Sequence, residues 1–186
     1  MSADAYRVLV ASAASAVTAA GRGWHTENRT ATTDAALDDC EKRIGISLPS
    51  PYREFLKLRN GVEHGIDRRR FVRYYLTLLG TDEIVERTLE HRALVETAFP
   101  EESFEGLVVF ADTMDGDVCL FDTTQELNGR VPVLGGGHEA DPDEWRDTVI
   151  AADFDQWYRN VLTYVAEHGD HDDFRYWWEP AWTLRA

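Results

Sequence analysis

Cysteine is scarce in this chain: Cys40 and Cys119 are the two among 186 residues, far apart and in no CxxC pair. That spacing supports neither a disulfide framework nor a zinc site, so reduced, buried thiols are expected. Basic residues are few as well. Nineteen Lys and Arg face 34 Asp and Glu, a formal net charge of -15. Such a surface repels nucleic-acid phosphates and anionic membranes, which excludes both as direct partners, and it attracts a basic protein. No apolar run reaches the ~20 residues needed to span a bilayer. The expectation is a soluble, cytoplasmic chain.

Several chemistries lack their local signatures. Ser, Cys and His form no nucleophile elbow. Gly135-Gly136-Gly137-His138 has neither the Lys nor the Ser/Thr of a phosphate loop, and reads as a flexible connection. Asp112, Asp115, Asp117 and Asp122 lack a Gly at the sixth loop position and the bidentate Glu of a calcium loop. They suit the turn chemistry of a hairpin at Asp115-Gly116. The stretch HGDHDD at 168–173 reads as a solvated turn past a helix end, and Arg68, Arg69, Arg70 and Arg73 as basic residues paired with nearby acids. No catalytic residue, cofactor or metal ligand is assigned. A metal-dependent or two-carboxylate hydrolase is the least supported class.

What is present is a globular composition, 44% hydrophobic, with a readable order of elements. Residues 1–32 read as an Ala-rich helix packed through Val10 and Val17, then a linker at 21–32; a targeting segment is the competing reading. Asp34 caps a helix carrying Leu37, Cys40 and Ile44, which Gly45 stops. Leu48-Pro49 is extended. Ser50 then caps a second helix with Pro51 at its first position and Tyr52, Phe55 and Leu56 on one face, ended by Asn60-Gly61. A strand is expected over 71–79, a helix from Thr81 or Asp82 to Pro100 with Ile84, Val85, Leu89 and Val95, and strands at 107–111, 118–122 and 130–134. The last helix has a capping-box pattern, Asp153 with Gln156, and an apolar stripe of Phe154, Trp157, Tyr158, Val161, Leu162 and Val165. The fold class is α+β, an antiparallel meander flanked by helices. It occupies 33–168, and an aromatic tail over 169–186 packs on it.

Three blocks resemble the SUKH superfamily. The first is LDDCEKRIGISLPSPYREFLKLRNG at 37–61, where Glu41, Gly45, Leu48, Pro49, Tyr52, Phe55, Leu56, Asn60 and Gly61 carry the likeness. The second includes Gly116, Asp117, Phe121, Asp122, Pro132 and Val133, and the third Ala151, Phe154, Trp157 and Tyr158. That superfamily includes fungal cell-wall and signalling regulators of the Smi/Knr type and many bacterial toxin-immunity proteins. The resemblance implies an immunity protein that neutralises a cognate polymorphic toxin by direct binding. The alternative it leaves open is a regulatory or scaffold protein of the Smi/Knr type. Acidity adds that the toxin is a basic protein, such as a nuclease. Partner-contact candidates are the places where carboxylates surround aromatics: Glu139, Asp141, Asp143 and Glu144 with Trp145, and Asp170, Asp172 and Asp173 with Trp177 and Trp178. Glu101, Glu102 and Glu105 form a third acid-rich stretch.

Overall fold

In the computed structural model, residues 3–68, 71–113, 116–138 and 140–168 are described. Helix α1 (Ala3–Ala19) comes first and buries Tyr6, Ala13 and Val17. Residues 21–32, expected as a linker, instead contain strand β1 (Trp24–Asn28). The sequence WHTEN has no apolar alternation. It becomes a strand because β2 (Val62–Arg68) pairs antiparallel with all of it, from Trp24 opposite Ile66 to Asn28 opposite Val62.

Helix α2 (Asp34–Ile44) is capped by Thr33, whose hydroxyl accepts the Ala36 N–H at 3.2 Å, so Asp34 is the first helical residue and not the cap. At its far end Gly45 takes φ 76°. The Glu41 carboxylate then reaches past this turn to accept the Leu48 N–H at 2.7 Å, and it also pairs with Arg53. One side chain thus fixes the extended Leu48-Pro49 step and the helix after it. That helix, α3 (Ser50–Leu58), starts one residue earlier than expected, with Pro49 in the cap position and no side-chain cap. Arg59, in an extended conformation, ends it, one residue before the expected Asn60-Gly61, and that pair meets the start of α4 (Thr81–Ala98). Asn60 Oδ1 accepts the Thr81 N–H at 2.9 Å, and Glu83 accepts the Gly80 N–H at 2.9 Å. Gly61 sits at φ 97° against the Gly80 backbone, where an added Cβ would lie 2.9 Å from Gly80 N and from Leu78 O.

The remaining strands are β3 (Phe71–Leu78), β4 (Leu107–Thr113), β5 (Val118–Asp122), β6 (Val133–Gly136) and β7 (Val149–Ala151). All seven form one antiparallel sheet in chain order, each strand beside the next. Strand β6 begins three residues later than the expected 130. Gly135 and Gly136, read as a flexible connection, are strand residues paired with Cys119 and Val118. Side chains on β5 alternate between two faces. Phe121 turns to one face, where it meets Tyr52 at 5.3 Å and Phe110 at 4.0 Å between ring centroids. That face is closed by α3 and by α6 (Phe154–His168), whose Phe154, Trp157, Tyr158, Val161, Leu162 and Val165 are all buried as the stripe requires. Val118 and Leu120 turn to the other face, toward α4 and the short helix α5 (Pro142–Asp147). Both cysteines are free and buried. On α4, Ile84, Val85 and Val95 are buried but Leu89 is exposed. No helix among the described residues is long and apolar enough to cross a membrane. The aromatic tail at 169–186 and the basic pair Arg69-Arg70 lie outside the described residues.

Two buried polar groups tie these layers together. The Tyr52 hydroxyl lies 2.7 Å from the Leu79 carbonyl and 3.0 Å from the Phe110 carbonyl, anchoring α3 to the sheet. Removing it in Tyr52→Phe takes this donor from the Leu79 carbonyl, while the Phe110 carbonyl keeps the Leu79 N–H at 2.9 Å; about 1–3 kcal/mol of stability is expected to be lost in urea unfolding.

His64 on β2 meets Thr26 through Nδ1 (3.2 Å) and the Tyr158 hydroxyl through Nε2 (2.6 Å), with Trp24 stacked on its ring at 5.2 Å. Burial pushes its pKa down from 6.5 to about 3. As pH falls below 6.5 the unfolded chain binds this proton and the folded chain does not, so stability declines toward pH 3. Above 6.5 both states are neutral and this dependence vanishes. Between pH 7 and 5 wild type is expected to lose about 2 kcal/mol more than His64→Gln, measured by urea unfolding at each pH.

Candidate functional site: an acidic face beside an apolar cleft

Within the acid-rich stretch, Pro142–Asp147 form the short helix α5, with Asp141 as its cap residue. Pro142 supplies the pre-set φ of a first helical position, and the Asp143 N–H, unsatisfied within so short a helix, donates to Glu102 Oε2 at 3.2 Å. Two acidic segments 41 residues apart in the chain therefore meet. Arg146 fastens them. It donates to the carbonyls of Ser103 (3.2 Å) and Glu105 (2.7 Å), and its other nitrogen reaches the fully buried Asp122 at 2.8 Å. Burial alone would raise the Asp122 pKa. Hydrogen bonds from Thr124 and the Arg146 charge outweigh it and hold the carboxyl below its usual range.

Asp141, Asp143 and Glu144 are exposed on this face, next to Glu101, Glu102 and Glu105. Glu102 feels the crowding: desolvation and the charges of Asp143 and Asp141 raise its pKa. Trp145 is a correction. Expected as an exposed aromatic anchor, it is only 6% exposed. Its Nε1–H donates to the Gly137 carbonyl at 3.2 Å, and its ring stands 3.5 Å from where a Gly136 Cβ would be. In PDEWRD one tryptophan on one helical turn must face inward, because α5 has little else to bury. Glu139, Asp170, Asp172, Asp173, Trp177 and Trp178 lie outside the described residues, as does Asp115.

Trp145 forms one side of a cleft of ≈ 370 Å³ between α5 and the second half of α4. Leu94, Val95 and Phe99 line the opposite side, with Val118 and Gly136 from the sheet and Pro142 near Trp145. The polar groups at its border are already engaged with one another. Arg87 donates to Asp112 and Glu90 at 3.1 Å each, and His91 Nδ1–H donates to the Arg87 carbonyl at 2.9 Å. Burial lowers the His91 pKa. His138 donates its N–H to Asp117 Oδ1 at 2.7 Å and places Nδ1 equally close to the same oxygen. Asp112, Asp117 and Asp122 thus go to three different partners, Arg87, His138 and Arg146. Among the described residues, no three His, Cys, Asp or Glu side chains group so as to hold a metal ion.

The Asp117–His138 and Asp122–Arg146 pairs were not visible in the sequence. Register would have exposed the first, since Val118 pairs with Gly136 and both residues lie just beyond that pair. Replacing Arg146 with Ala would leave Asp122 buried without its cation, a loss of about 1–3 kcal/mol in urea unfolding. It would also free α5 from 103–105, so amide exchange is expected to quicken in those two segments ahead of the sheet.

Residues 31–160 match the SMI1 / KNR4 family (SUKH-1), which covers well over half of the chain. No curated protein matches it.

Proposed function

The chain belongs to the SMI1 / KNR4 family (SUKH-1), and from that membership we propose that it is an immunity-type protein that neutralises a cognate polymorphic toxin by direct, stoichiometric binding. The observation that carries this reading is the meeting of two acidic segments, 101–105 and α5, on one rigidly fastened face. Carboxylates spread along a loop would be ordinary surface. Fixed together by Arg146, they present a patch of like charge whose nearest complement is a basic protein surface.

The mechanism is occlusion. A toxin that acts on nucleic acid carries a basic substrate surface, and an acidic face occupies it in place of phosphates. Charge also speeds the encounter, since opposite fields steer diffusing partners. Binding in this reading needs no catalytic group, cofactor or metal. It fits the engagement of Asp112, Asp117 and Asp122 with Arg87, His138 and Arg146. Direct binding of nucleic acid or membrane is no part of it.

The test is co-expression with the product of the neighbouring reading frame. The expected result is rescue from toxicity and a one-to-one complex whose affinity falls on the order of tenfold or more from 0.1 M to 1 M salt, as screening shortens. Reversing three charges together, in Asp141→Lys, Asp143→Lys and Glu144→Lys, is expected to weaken binding comparably without unfolding the chain, because all three side chains are exposed. A folded chain that binds no product encoded beside it and rescues no toxicity sinks the reading and favours a regulatory scaffold.

A further inference from the structure

Charge alone leaves the cleft beside the acidic face without a purpose. Leu94, Val95, Phe99, Val118, Pro142 and Trp145 make most of its wall apolar; Arg87, Glu90, His91 and His138 also line it, and they bond to Asp112, to one another and to Asp117. Leu94 stands at its rim 56% exposed, on the helix turn after Glu90. An exposed leucine beside a concave apolar wall costs solvation in the free chain and gains contact only when covered. The volume, ≈ 370 Å³, is at the small end for a ligand pocket but ample for one large side chain. Carboxylates outnumber cations nearby: Glu90 lines the cleft beside its partner Arg87, and on α5 Asp141, Asp143 and Glu144 alternate with the Pro142 and Trp145 of the wall.

We propose that this cleft receives a single large apolar side chain of the partner, Phe, Leu or Met, flanked in the partner by Lys or Arg. The inference rests on the binding role proposed above and names the chemistry of its contact. Apolar burial in the cleft supplies the anchor, and ammonium or guanidinium groups on either side meet the surrounding carboxylates. This is the usual anatomy of an interface hot spot, a desolvated anchor inside a polar rim. A small anionic ligand is repelled by the same rim. A second copy of this chain would bring acidic face to acidic face.

The test uses the full chain and a defined probe, the peptide acetyl-Lys-Lys-Phe-Lys-Lys-amide, followed by amide and indole nitrogen–proton spectra. Saturable shifts are expected at the Trp145 indole N–H and at Gly136 and Leu94. Replacing the peptide's Phe with Ala, or its lysines with Glu, is expected to weaken binding at least about fivefold, the scale of losing one anchor or its rim. Leu94→Lys, at an exposed position, is expected to do the same with the fold intact. Ala140→Trp, which fills the cleft from its edge, provides a second variant.

Equal binding of the Phe and Ala peptides would overturn the proposal, as would shifts spread over acidic residues away from the cleft. Tighter binding of the glutamate peptide, or concentration-dependent shifts of the chain alone, would also overturn it. The two readings fail separately. A neutralised toxin whose affinity ignores both Leu94→Lys and Ala140→Trp removes the cleft and keeps the immunity role. Localised binding of the Phe peptide by a chain that neutralises nothing removes the immunity role and keeps the cleft.

Discussion

Tyr52 holds the layers of this protein in register. Its ring lies 4.8 Å from Phe154, 5.3 Å from Phe110 and Phe121 and 5.8 Å from Phe55, while its hydroxyl bridges two sheet carbonyls. Rings packed at these separations fill space as a solid does, so one cannot slide without its neighbours. The helix that carries Tyr52 must therefore arrive at a fixed angle. Glu41 and Gly45, with Leu48-Pro49, aim it from one side, and Asn60, just past its end, ties it to the start of α4 on the other. The residues that carry the family likeness are, in large part, the ones that meet this demand.

A sheet so tightly closed on one face makes the other face different in kind. Seven strands laid in chain order expose a broad second surface, and α4 alone does not cover it. The six-residue α5 completes the cover with one tryptophan. Gly136 is needed there, because a Cβ would come within 2.7 Å of Leu120 and 2.8 Å of Val118 as well as meeting the Trp145 ring. A short helix with a single buried ring cannot seal the gap to α4, and the cleft is what remains. The acidic residues of α5 are exposed for the same reason: one turn buries Pro142 and Trp145 and leaves the positions between them to solvent.

How much of this was legible in the sequence follows from where the information lies. Elements specified by their own periodicity or end signals could be read: the α6 stripe from Phe154 to Val165, the Gly45 stop, the strand at 118–122 and the antiparallel α+β class. Elements specified by a partner could not. WHTEN becomes β1 because it pairs with β2, and it has no apolar alternation of its own; in VEHGIDR the alternation rests on only Val62, His64 and Ile66, and pairing with β1 and β3 makes it β2. The short α5 is set by Glu102 and Arg146 contacts from distant segments. On the site, the sequence marked Asp141, Asp143 and Glu144 as acidic. It mistook Trp145 for an exposed anchor, since six residues are too few to show which side faces in. The joining of 101–105 to α5 is a tertiary fact with no local trace.

The same contacts separate the fixed part of this scaffold from the part free to vary. Asp122, one of the residues that carry the family likeness, is fully buried and holds Arg146, and Arg146 holds α5 against 103–105. Position and tilt of the acidic helix are thereby inherited from the core. The side chains that face outward, Asp141, Asp143 and Glu144, have no part in that clamp, and neither does Leu94 on α4. Exposed positions change stability little when substituted, so charge and shape on this face can vary while the framework stays. A face built this way can change its charge and shape without disturbing the framework. The Asp122–Arg146 pair is the point at which the two meet.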